Sequence, residues 1–221
     1  GYPMKTSYKW ALIAAIVLAV ALAVFLWLRK ALDPFAKGPD PIIIPEFPYS
    51  EMIPGDLLFR TGTGAYSKML NVASADTVHY SHIGLLLKLD STWVVVHSVP
   101  DEPDSPMDFD RVKMETVQEF FDPEHALHGE IVHTGFTAGS KMTDAAIGFV
   151  RDSIKFDTAF DLSDSSRLYC TELIWLLYRR EGIDLSEGRR SFRGYIVLGP
   201  NGLITVNDLR NYSGNVSYYA Y

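Results

Sequence analysis

The chain has 221 residues, a net charge of -7 and a single cysteine. That length suits one domain with an appendage. The acidic balance offers no basic face to a phosphate backbone, which excludes nucleic acid as a partner, and one cysteine excludes an internal disulfide.

In chain order, a flank over residues 1–9 leads into Trp10 to Leu28, an uncharged run of nineteen residues. At about 1.5 Å per helical residue this run approaches the hydrocarbon thickness of a bilayer, so it is expected to be a transmembrane helix. Trp10 and Trp27 sit at its ends, and Lys5, Lys9, Arg29 and Lys30 flank it. The expected setting is single-pass, in a bacterial inner membrane or the mitochondrial inner membrane, with the lipid bilayer as partner. Gly1 is not a start methionine, so either Met4 is the natural start or the chain is a processed form. Residues 29–51, rich in proline around Ile42 to Ile44, read as an extended tether to a domain over residues 52–221.

Within that domain, Pro54, Gly55 and Asp56 turn into a short strand, Leu57 to Arg60, and Ser67 to Val72 reads as a short helix. Ser81 to Leu89 and Thr92 to Val99 are apolar and β-branched around Asp90 and Ser91, the pattern of an antiparallel hairpin. Val112 to Phe121 reads as a strand and a short helix, Glu130 to Thr134 as a strand, and Lys141 to Ser153 as a helix. Tyr169 to Arg180 is apolar nearly throughout and stops at Gly182, as a buried helix does. Tyr195 to Leu198 and Leu203 to Val206 read as a terminal hairpin.

Three residues in these elements have the chemistry of a thiol hydrolase. Cys170 stands at a helix start, where backbone N–H groups stabilise an anion and lower a thiol pKa; the other reading of a lone cysteine is a buried small hydrophobe. A turn of two or four residues between the hairpin strands pairs Gly84 with His97, which puts His82 and His97 on one face as diagonal neighbours within reach of each other. An odd-length turn would separate them.

The strings Pro54-Gly55-Asp56-Leu57-Leu58-Phe59, Tyr80-Ser81-His82-Ile83-Gly84, Val95-Val96-His97 and Tyr169-Cys170-Thr171-Glu172-Leu173, in that order, resemble the circularly permuted NlpC/P60 cysteine hydrolases of the YiiX and YebB-like type. The histidine strand precedes the cysteine helix, as in the permuted group. The resemblance covers about Ile53 to Tyr212. It implies an α+β, permuted papain-like fold, with the cysteine helix packed on an antiparallel sheet. It also implies Cys170 as nucleophile, His82 as base and His97 as the residue that orients His82. Many permuted relatives place a glutamate at the third position, so His97 departs from the pattern and brings no fixed negative charge. Tyr169 is implied as an oxyanion donor with the helix-start N–H groups, and Asp157 as a structural or substrate-facing residue.

His125, His128 and His133 with Glu124 and Glu130 match no helix-borne metal motif and read as a solvated surface, so no metal and no cofactor is expected. Gly62 and Gly64 do not make a nucleotide loop, and there is no Gly-x-Ser-x-Gly elbow. The expected activity is hydrolysis of an amide or ester, in a peptide, lipopeptide or acyl lipid. The alternative is an inactive papain-like accessory subunit of a membrane complex.

Overall fold

The computed structural model describes residues 5–31, 46–64, 80–190 and 202–221. The chain divides into two units, Gly1–Gly38 and Pro39–Tyr221. In the first, helix α1 (Lys5–Ala31) has 27 residues, on the order of 40 Å of helix. No helix among the described residues is long and apolar enough to cross a membrane. Of the span expected over Trp10 to Leu28 the described residues give the helix alone. Residues 32–45 of the expected tether, the short helix at 67–72 and the strand at 195–198 lie outside the described residues.

The second unit is built on a six-stranded sheet. Its strands are β1 (Leu57–Gly62), β2 (His82–Leu89), β3 (Thr92–Val99), β4 (Arg111–Thr116), β5 (Ala126–His133) and β6 (Val216–Ala220). They lie in the order β4-β3-β2-β1-β5-β6, every neighbouring pair antiparallel. The helices are α2 (Val117–Phe120), α3 (Ser140–Arg151), α4 (Cys170–Arg179) and α5 (Val206–Arg210).

Alternation along the strands divides the core in two. Leu57, Phe59, Ile83, Leu85 and Val96 face α3 and α4, while Leu58, Leu86, Val95 and Ile131 face Phe120 and Phe121. Helix α4 forms because Cys170, Leu173, Ile174, Leu177 and Tyr178 recur at helical spacing, and all five are buried against the first face. The register Leu85↔Val96 through Leu89↔Thr92 leaves Asp90 and Ser91 as the hairpin turn. Asp90 accommodates that turn with a left-handed backbone, φ 53°.

The Pro54-Gly55-Asp56 turn is fixed from both sides. Gly55 has φ +103°, and a Cβ there would meet backbone atoms of Ala138 and Phe136 at 2.9 Å. Asp56 accepts from the backbone of Ile53 at 2.9 Å and from the hydroxyl of Tyr218 at 2.7 Å. The terminal hairpin is corrected at its second arm. Leu203 makes only an isolated bridge and the chain turns into α5, because Thr205 and Asp208 form a capping box there. The final strand, β6, pairs with β5 and was not expected.

Candidate active site

Cys170 is the first residue of α4, and its backbone is held from two directions. The hydroxyl of Ser98, on β3, donates to the carbonyl of Leu168 at 2.5 Å. On the other side Thr171 donates its hydroxyl to the carbonyl of Ile204 at 2.6 Å, and the Ile204 amide donates to the Tyr169 hydroxyl at 3.2 Å. The helix start does not produce the lowered thiol pKa expected from the sequence. Burial pushes the Cys170 thiol up to about 12, outweighing the opposite pull of the Thr171, Cys170 and Ile83 backbone and of Arg60. The resting thiol is therefore protonated.

His82 and His97 meet as the hairpin register requires. His82 Nε2 lies 2.7 Å from His97 Nδ1, and Phe120 packs against both rings at centroid distances of 5.7 and 5.3 Å. Gly84 makes this possible, since a Cβ there would come within 2.3 Å of Val95 and 3.0 Å of Phe120. Both histidines are buried. Burial first, then the charges of Arg60, His97 and Lys113, hold His82 well below the usual histidine range, so it rests neutral.

Behind His97 stands a carboxylate. Glu115 Oε1 is 3.1 Å from His97 Nε2, with Arg60 at 3.9 Å and Lys113 at 3.6 Å from the same side chain. Burial alone would raise its pKa, but His97, Arg60 and Lys113 together hold it at about 2. Arg60 is itself buried, donating to the carbonyl of Phe120 at 2.6 Å and pairing with Glu102. Neither Arg60 nor Glu115 was expected from the sequence. The signal was there in each case: Arg60 is a charge in the apolar run Leu57-Leu58-Phe59, and Lys113 and Glu115 alternate with Val112 and Met114.

Alternation places His82 on the side of the sheet away from α4, whereas Cys170 packs on the α4 side. Because His82 is the first residue of β2, the sheet ends at that point and the two groups line one cavity of about 50 Å³, together with Ser81, Glu102 and His125. Among the described residues no hydrogen bond joins the thiol to the His82 ring, and the two groups meet across this shared cavity. Glu102 and His125 continue from it into a groove of about 580 Å³ along β4. Tyr169 and Cys170 also line a smaller, mostly apolar cavity of about 20 Å³ on the other side.

The remaining expected residues take other places. Burial pushes the Tyr169 hydroxyl pKa upward. Asp157 is buried with its carboxylate turned to its own loop, accepting from the amides of Ala159 at 2.9 Å and Asp161 at 2.6 Å. The solvated surface expected around the histidines is corrected for Glu130, His133 and His125. Glu130 is buried and held by Arg210 through two contacts of 2.6 Å, His133 pairs with Asp56 at 2.8 Å, and His125 lines the site cavity. His128, half-buried on β5, and the exposed Glu124 have no part in these contacts. Among the described residues no three His, Cys, Asp or Glu side chains converge so as to hold a metal ion.

Comparison with known proteins agrees with this arrangement. Residues 51–207 match the family described as permuted papain-like amidase enzyme, YaeF/YiiX, C92 family. A solved structure described as that of metalloprotein yiiX from Escherichia coli O157:H7 superposes with a TM-score of 0.60 at 15% identity. It covers 76% of this chain and 97% of its own. No curated protein matches. With the match running through the β1 turn, the histidine hairpin and the cysteine helix, the chain belongs to the permuted papain-like amidase family and is a cysteine hydrolase.

Proposed function

We propose that the chain cleaves an amide or ester bond in a peptide, lipopeptide or acyl lipid through a thioester on Cys170, with His82 as base. The observation that carries this reading is the shared cavity, into which Cys170 and His82 both open while His97 holds the second nitrogen of the His82 ring.

With a neutral ring and a protonated thiol at rest, His82 takes the thiol proton as sulfur attacks the carbonyl carbon. The backbone N–H groups at the start of α4 stand where the oxyanion develops, and Tyr169 beside them shapes the pocket. Collapse of the tetrahedral adduct breaks the bond to the leaving group, which takes the proton from His82. Water then gives a proton to His82 and attacks the thioester. The acid is released and the proton returns to sulfur. Asp157 supports the loop before α4.

The test is mass spectrometry of the intact protein incubated with activated acyl esters and acyl amides. Wild type should gain one acyl mass on Cys170, and His82→Ala should lose the adduct. Equal acylation of both proteins, or of a Cys170→Ser variant, would move the reading to an accessory subunit of a membrane complex. We also place the protein at a bacterial or mitochondrial inner membrane through the apolar run Trp10 to Leu28, which lies within the 27-residue α1. Release of the protein by alkaline carbonate would sink that placement.

A further inference from the structure

His97 supplies no fixed charge, yet the sheet supplies one a strand further on. His97 pairs with Lys113 across β3 and β4, so Glu115, two residues on, projects from the same face toward the ring. Its Oε1 faces His97 Nε2 at 3.1 Å, and among the described residues neither atom has any other hydrogen-bond partner.

We propose that Glu115 is a positioning residue for the hydrolysis, fixing through His97 which nitrogen of His82 carries the proton. The logic is one of donors and acceptors. Nε2 of His97 faces a carboxylate oxygen, and a lone pair there would set two acceptors against each other in a buried site, so that nitrogen bears hydrogen. In the neutral ring Nδ1 of His97 is then an acceptor, and its 2.7 Å partner, Nε2 of His82, must be the donor. His82 is left with an unprotonated Nδ1, the nitrogen that can receive the Cys170 proton. The opposite tautomer would turn an N–H toward the thiol and remove the base.

Arg60 and Lys113 complete the device. Their cations stand 3.9 and 3.6 Å from the half-buried carboxylate and, together with His97, keep it ionised and offset its charge. When His82 accepts the thiol proton, the new positive charge is relayed through His97 toward Glu115.

This inference rests on the reading of Cys170 and His82 as nucleophile and base, and the experiment separates the two. Long-range proton–nitrogen NMR on the full chain with nitrogen-15-labelled histidine reads the tautomer directly, with His82→Ala giving the assignment. The wild type should show His82 protonated at Nε2 and bare at Nδ1. Glu115→Gln should yield mixed tautomers and move the pH profile of Cys170 alkylation up by about one unit, or about tenfold in rate at a fixed pH on the rising limb. Glu115→Asp should recover most of both. A wild-type His82 carrying its proton on Nδ1, or a Glu115→Gln protein with unchanged tautomer and profile, overturns the proposal, and the wild-type spectrum decides it even where the variant fails to fold. An alkylation profile indifferent to His82→Ala overturns instead the assignment of His82 as base.

Discussion

Two buried acids or thiols near the start of α4 are pushed the same way by burial. With its thiol raised to about 12 against an ordinary 9.0, Cys170 has roughly a thousandfold less thiolate at pH 7 than an ordinary cysteine. Iodoacetamide should therefore label the native protein at pH 7 at least about a hundredfold more slowly than the same thiol in the urea-unfolded chain. Native labelling as fast as unfolded labelling would contradict the burial of the sulfur. Glu172, the third residue of the helix, is also raised by burial, to about 8 from 4.5, with Asp157, Asp161 and Asp164 adding to the shift. Between those two values the folded chain keeps a proton that the unfolded chain has released, so stability falls as pH rises through the window. Glu172→Gln removes that penalty. Its melting temperature should exceed that of wild type at pH 8, by a few degrees, and the two should coincide at pH 4.

At the scale of elements, the hairpin β2–β3 is the part of the site most legible in the sequence. Two β-branched runs around a two-residue turn fix the register, and register alone brings His82 and His97 together. Phe120 and Gly84 were not legible, because nothing local announces that an aromatic side chain from α2 will lie over a glycine in β2. Gly84→Ala should cost about 1 to 3 kcal/mol of stability by overpacking and should weaken acylation of Cys170 through displaced rings. Urea unfolding alongside the acylation assay checks both, and an unperturbed variant would show that Phe120 yields freely. The thiol was misjudged for a related reason. A helix start is a local signal that favours the anion, whereas the burial that defeats it comes from β1, β2 and the Tyr80 side of the core. The Glu115 charge was missed because it reaches His97 only through the pairing of β3 with β4.

Across the domain, the sequence order of motifs was enough to give the permuted papain-like fold, since the resemblance rests on segments that lie in β1, β2, β3 and α4. The C-terminal region was not legible. Its strand β6 has exposed positions and weak alternation, and α5 is a five-residue helix defined by its cap. A half-buried ion pair ties this region to the sheet, with Arg210 of α5 gripping the buried Glu130 of β5 at 2.6 Å through two nitrogens. Arg210→Met strands the carboxylate and should lower unfolding stability by about 3 to 5 kcal/mol, and the double variant with Glu130→Leu should regain much of it. A negligible effect of the single change in urea unfolding would mean that water reaches Glu130.

The order of elements along the chain has a consequence on the ribosome. Strands β1 to β5 and both histidines are synthesised before Cys170 exists, and at about 5 to 20 residues per second the interval from β5 to the end of α4 lasts some seconds. Through that interval the face of Leu57, Phe59, Ile83, Leu85 and Val96 has no α4 to cover it. The nascent chain carries a finished base before its nucleophile and an adhesive apolar sheet before its lid, so a chaperone that shields this sheet would act ahead of residue 170, and the thiol would reach its pocket only as the core closes.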